Sequence, residues 1–181
     1  MSSRSKKVFP SSTANAFHVD GDYRIVASTH EHASYVQQRL RIHDARECMI
    51  HGITPWRALH IPLKNPDAQT WTFMHKDVPL AMGGVVEIFY DDSVRCGSIW
   101  MLGSYDVNKH KRKFFEISEK MLEYVMLHYD YVENVVPVDH THTLLYLNRL
   151  GFMFAEEPTL VNGFTCVRFV RCNSDIEVRF E

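Results

Sequence analysis

Apolar positions along the chain change their spacing repeatedly, and each change marks an element. "YRIVAS" at 23–28 has the composition of a short strand, and Ser28 followed three residues later by Glu31 fits a capping box. That box predicts a helix running through "HEHASYVQQRLRIHDARECMI", with Ala33, Val36 and Leu40 on one face and Gly52 as its stop. Thr54-Pro55 opens a second, short helix, because proline at the first helical position forfeits no hydrogen bond. "TWTFMHK" and "PLAMGGVVEIFY" then read as antiparallel strands with Asp77-Val78-Pro79 at the turn, and "GSIWMLGSY" as a third. "AMGG" predicts a bulge or a close backbone approach.

The longest helical pattern spans Lys109 to His128, where Phe114, Ile117, Met121, Val125 and His128 recur three and four apart. "YVENVVPV" returns as a β-branched strand, a helix follows from about Thr141 to Leu150 with Gly151 as its stop, and "FMFAEE" resumes as strand. Asn162-Gly163 predicts a hairpin turn before "FTCVRFVRC", and "IEVRFE" alternates apolar and charged positions as a last strand. Four helical segments thus punctuate a mostly antiparallel sheet, which is an α+β order with an extra C-terminal hairpin strand.

Composition adds limits. The 181 residues, 45% of them hydrophobic, suit one domain with a real core. Residues 1–22 are Ser-rich, begin with Arg4, Lys6 and Lys7 and lack periodicity, so they read as a flexible arm ahead of a single domain at 23–181. A formal charge of -2 gives no general affinity for nucleic acid, so any anion site must be local. Four cysteines without CxxC spacing point to reduced thiols in a cytoplasmic compartment, and no apolar run is long enough for a signal or membrane segment. Cys166 and Cys172 share a sheet face but stand ~20 Å apart along a strand, too far to bridge.

The order of elements, with the "RLGFMF" exit of the last helix, resembles the GNAT N-acetyltransferase fold. The resemblance implies a mostly antiparallel sheet flanked by helices, with the glycine in a left-handed C-terminal position and the phenylalanine under the sheet. "DVPLAMGG", "KHKRKF" leading into "MLEYVMLHYD", and "NRLGFMFAEEP" are further similar to the internal virion protein A family of T7-like podophages. That resemblance implies a virion-associated or assembly role, other phage virion or assembly proteins as partners, and a location in the particle or the host cytoplasm.

The GNAT resemblance also sets tests for acetyl-CoA. Aligning Val107 with the family's strand-end valine puts Arg112 at the basic position of the diphosphate loop, but Lys113, Phe115 and Ile117 where glycines are expected, so the cradle reads as degenerate. The usual general-acid tyrosine, four residues before the glycine of "LGF", is Leu147; Tyr146 is adjacent, but one helical step turns it by about 100° and would aim it elsewhere. His140 stands where an asparagine often begins the helix, and a histidine there can cap, hydrogen-bond or act as a base. Glu87 occupies a strand position from which this fold often draws a general base, against its reading as an ordinary polar residue on an exposed face.

Lys109, Lys111, Arg112 and Lys113 crowd a helix start, where the macrodipole disfavours cations unless an anion binds. The candidates are cofactor phosphates, nucleic acid or an acidic partner surface; the alternative is a solvated face balanced by Glu116, Glu119 and Glu123. His140 and His142 could share one side of an extended segment and chelate a metal, with His30 and His32 completing a set, but the helical pattern at 141–150 argues against it. Trp71, Phe73, Phe89, Tyr90 and Trp100 read as core. The balance leans to a scaffold that has lost its cofactor site, with an active acetyl-CoA-dependent enzyme as the alternative.

Overall fold

The computed structural model describes residues 18–91 and 94–173. Among these the chain forms nine strands and five α-helices. β1 (His18–Asp20) and β2 (Tyr23–Ala27) precede α1 (His30–Gln38), α2 (Ile42–Ile50) and α3 (Pro55–His60). β3 (Ala68–His75), β4 (Val78–Asp91) and β5 (Val94–Gly103) make the meander. α4 (Lys111–Met126), β6 (Tyr131–Pro137), α5 (Thr141–Arg149), β7 (Met153–Phe154), β8 (Thr159–Val161) and β9 (Phe164–Cys172) complete the order.

All strands share one sheet in the order β1-β2-β3-β4-β5-β6-β9-β7, with β8 also on β9. Every pairing is antiparallel except β5 with β6, which is parallel. The two faces carry separate cores. Alternation along β4 and β5 sends Ala81, Val85, Ile99 and Met101 toward α4, and Met82, Trp100 and Leu102 toward α1, α2 and α3.

Several boundaries differ from the sequence expectation. The segment 30–50 is two helices, because the backbone of Arg39 to Arg41 pairs with the end of β5: Tyr105 N–H donates to Arg39 O (2.9 Å) and Arg41 N–H to Gly103 O (3.0 Å). Thr29, not Ser28, caps α1, its hydroxyl accepting from His32 N–H at 3.2 Å, while Ser28 Oγ bonds Thr72 Oγ1 at 2.9 Å. Residues 18–20 of the expected arm are strand, held by pairing to β2, and Gly21 (φ 61°) and Asp22 form the turn between the two; residues 1–17, like "IEVRFE", lie outside the described residues. Val78 and Pro79 belong to β4, the turn being Lys76-Asp77 with Lys76 at φ 52°. "FMFAEE" keeps only two strand residues.

Other expectations hold. Thr54 caps α3 by accepting from Arg57 N–H at 3.3 Å, and Gly52 and Gly151 take φ 66° and 80° at helix ends. Asn162 and Gly163, at φ 48° and 83°, make the β8–β9 turn. The register shift in β4 lies beside "AMGG", at Leu80, and the glycines serve a different end. A Cβ on Gly84 would meet Gln69 O at 2.7 Å and the Trp100 indole at 2.8 Å, so the bare backbone lets Trp100 lie across the sheet.

Candidate active site

β5 and β6 run in parallel only from Cys96↔Tyr131 to Ser98↔Glu133 and then separate. Parallel neighbours that part leave backbone groups unpaired and open a gap through the sheet. Asn134 fills part of it, its side-chain amide donating to Ile99 O at 2.7 Å. The rest is a tunnel of about 430 Å³ lined from both faces. Ser118, Met121, Leu122, Tyr146, Leu147 and Phe152 line it from the α4 and α5 side; Glu47, Cys48, His51, Ile53, Arg57, Ala58 and Ile61 line it from the α2 and α3 side.

Glu47 is the group at this site that the sequence did not announce. Its Oε1 lies 3.0 Å from Nδ1 of His140, and both side chains are largely withdrawn from solvent. Burial pushes the Glu47 carboxyl up to about 7, with the neighbouring Asp44 charge adding to it and Arg41 opposing. Burial, with Arg46 second, holds the His140 imidazole below its ordinary value. Near neutral pH the Glu47 carboxyl is therefore the member of the pair that changes charge. His140 Nε2 is buried with no partner among the described atoms, and the ring meets His43 edge-on at 5.3 Å. His140 does begin α5, but its side chain caps nothing; it bonds Glu47 instead.

Tyr146 lines the tunnel together with Leu147, contrary to the expectation that one helical step would turn it away. Its ring stacks on Phe114 at 6.1 Å and meets Phe115 edge-on at 5.8 Å. Wedged between these α4 side chains, its hydroxyl is buried without a hydrogen-bond partner. Burial raises the phenol well above its usual range; Ser118, whose own hydroxyl donates to Phe114 O, is its polar neighbour but makes no hydrogen bond of normal geometry with it. A buried, unpaired O–H on a tunnel wall is a proton donor awaiting an acceptor.

The remaining sequence candidates divide. Glu87 is not part of the tunnel; it pairs with Arg95 (3.3 Å) on the α4 face, where its charge helps push Tyr129 up to about 12, after burial. Val107 is core, in a 3-10 turn (Tyr105–Lys109) before α4. Lys109, Lys111, Arg112 and Lys113 do gather around one cleft of about 380 Å³ with Tyr23, His110 and Glu116. Lys113, Phe115 and Ile117 sit within the first two turns of α4 and not in a loop; Ile117 points into the core.

The cleft is half neutralised. Lys113 Nζ is 2.7 Å from Asp20 and 2.9 Å from Glu116, Arg112 Nε is 3.0 Å from Glu116, and Lys109 Nζ is 3.4 Å from Asp106. No side chain caps the start of α4, because His110 turns its Nδ1 to the Tyr23 hydroxyl at 2.8 Å. At the end of β5, Gly103 N–H is taken by Asp44 Oδ2 (2.7 Å), which Arg41 holds in a two-pronged ion pair (2.8 and 3.0 Å). Among the described residues no three His, Cys, Asp or Glu side chains gather as a metal site; His30 and His60 bond each other through Nδ1 at 2.9 Å. Nor is any described helix long and apolar enough to cross a membrane. Trp71 and Phe73 are core as expected, and both also line the tunnel beside Trp100.

No protein-family model matches the chain, and no curated protein matches it by sequence. Solved structures do. A spermidine N-acetyltransferase from Vibrio cholerae, in complex with CoA and spermine, superposes with a TM-score of 0.63 at 13% identity, covering 86% of this chain and 98% of that one. A ribosomal L7/L12 α-N-protein acetyltransferase in complex with coenzyme A gives 0.60 at 11% identity, covering 87% and 98%. A probable acetyltransferase gives 0.64 at 13%, covering 90% and 99%. The chain thus has the GNAT acetyltransferase-like fold, with additional C-terminal strands.

Proposed function

We propose that the protein is an acyl-CoA-dependent N-acyltransferase. The observation that carries this reading is the tunnel at the β5–β6 separation, with the unpaired Tyr146 hydroxyl on one wall and Glu47, bonded to His140, on the other. Acetyl-CoA would supply an activated thioester there, and neighbours of this fold are described in complex with CoA. The apolar lining suits a pantetheine-like arm and excludes water. Ser118, on the tunnel wall, lies seven residues after Lys111, about two helical turns or ~10 Å along α4. An arm leaving the tunnel along α4 would thus bring its diphosphate to the uncapped helix start, where Lys111 and Arg112 supply charge. Tyr146 holds, at its hydroxyl, the proton that a departing thiolate needs.

Calorimetry with acetyl-CoA tests the reading. We expect binding, weakened about tenfold or more when Lys111 and Arg112 are both changed to Ala and weakened further by salt. No binding at millimolar ligand would defeat it.

A second reading keeps the fold and drops the cofactor: a virion-associated or assembly protein of a phage, with other particle proteins as partners. It is favoured by the engagement of Gly103 N–H by Asp44 and by the carboxylates already paired with Lys109, Arg112 and Lys113. Mass spectrometry of purified particles would find the protein there on this reading, and only in infected lysate otherwise. The same pairing leaves a weak case for nucleic acid, which predicts a steep loss of affinity with salt.

A further inference from the structure

The two sides of the tunnel differ in chemistry. If the acyl donor lies toward α4, the acceptor must arrive from the α2 and α3 side. There the wall is made of Ile53, Ala58, Ile61 and Trp100, and Glu47 is the one carboxylate among the described lining residues. Arg57 stands on the same side and is exposed. A polycation would bring ammonium groups to an apolar wall with no counter-charge and face Arg57 as well, at a desolvation cost that nothing there repays. One ammonium, by contrast, finds one carboxylate.

We infer that the acceptor is a primary monoamine carried on a compact apolar or aromatic body, its ammonium received by Glu47, which His140 holds in place. The inference rests on the acyltransferase reading for its chemistry, but the amine site stands on its own geometry. It separates this protein from its structural neighbour crystallised with spermine, a polyamine. His140 acts through Glu47 and is a positioning residue. It keeps the carboxyl directed by a 3.0 Å hydrogen bond, where rotation about the side chain would otherwise leave the tunnel wall apolar.

Charge bookkeeping around Glu47 gives the site a pH signature. Asp44 on α2 and Arg41 just before it act on Glu47, His140 bonds it from the start of α5, His43, Arg46 and Asp139 lie around that imidazole, and His51 and Arg57 share the tunnel lining. An alkylammonium stays charged through neutrality, so its affinity follows the ionisation of Glu47: level above about pH 7.5 and falling toward tenfold per unit well below 7.

The test is calorimetric titration of the full-length chain, without acyl donor, using 2-phenylethylamine and spermidine as probes. We expect 2-phenylethylamine to bind at pH 8, to bind roughly tenfold more weakly at pH 6, and to lose about tenfold or more in Glu47→Gln. Spermidine should bind more weakly than 2-phenylethylamine. Absence of 2-phenylethylamine binding, equal affinity in Glu47→Gln, or a preference for spermidine would each overturn the inference. Should Glu47→Gln not fold, the wild-type pH series decides, since pH-independent binding would overturn it as well. Acetyl-CoA titrated separately reports on the acyltransferase reading alone, so the two can fail independently.

Discussion

Glu47 on α2 and His140 at the start of α5 stand 93 residues apart in the chain and 3.0 Å apart in space. The contact ties the helical layer on one sheet face to the helix that closes the tunnel on the other. Burial of the pair, with Asp44 and Arg41 acting on Glu47, sets the ionisation of the site.

A raised carboxyl pKa has a definite sign for stability. Glu47 ionises near 4.5 in the unfolded chain and near 7 in the folded one, so its contribution is fully present below about pH 4.5 and is lost as pH rises through about 7. Glu47→Gln, which keeps the shape and removes the charge, should be more stable than wild type by about 2–3 kcal/mol at pH 8, the difference shrinking to under about 1 kcal/mol at pH 5. Urea unfolding at both pH values measures it; equal stabilities at pH 8 would contradict the assignment.

Tyr146→Phe should separate stability from activity. Removing a buried hydroxyl that has no partner is expected to leave stability unchanged or raise it by up to ~1 kcal/mol. Acyl transfer should fall roughly 100-fold in kcat with little change in acetyl-CoA affinity, if the hydroxyl protonates the leaving thiolate. A destabilised variant with unchanged kcat would assign the tyrosine to packing alone.

Gly84→Ala places a methyl 2.7 Å from the Gln69 carbonyl and 2.8 Å from the Trp100 indole. Backbone cannot retreat as a side-chain tip can, so a cost of about 1–3 kcal/mol is expected. Because Trp100 lines the tunnel, its fluorescence should shift and ligand affinity should drop with it. An unmoved emission spectrum would show that the indole does not depend on the bare glycine.

Arg41→Ala removes the partner of Asp44, a buried carboxylate that also accepts from Gly103 N–H. An uncompensated buried charge typically costs about 3–5 kcal/mol. The loss should shrink markedly in Arg41→Ala/Asp44→Asn, whose amide needs no counter-charge; thermal melts of the two variants make the comparison. Equal losses in both would mean that Arg41 contributes packing and not charge pairing.

Local signals were strong wherever they were also sufficient. The Thr54-Pro55 start, the Gly52 and Gly151 stops and the Asn162-Gly163 turn depend on a few neighbouring residues, and each stands as expected. The single helix expected at 30–50 failed for the complementary reason. Nothing in those residues reveals that the end of β5 will claim their backbone at Arg39 and Arg41. Tyr146 was misjudged on angle alone: a 100° step matters only until Phe114 and Phe115 fix where the ring lies. A trace of Glu47 was visible, as a second acid one turn after Asp44 on a helix whose Cys48 is buried, but acidic pairs on helices usually face water.

The sequence by itself determined the α+β order, the basic start of α4 and the "RLGF" exit, because periodicity and turn chemistry are encoded within a few residues of where they act. Only the tertiary structure decided the rest. The separation of β5 from β6, the tunnel it opens, the hydrogen bond between Glu47 and His140 and the neutralisation of Lys113 by Asp20 all join residues distant in the chain. Such pairings depend on which surfaces the closed sheet brings together, and neither partner carries that information alone.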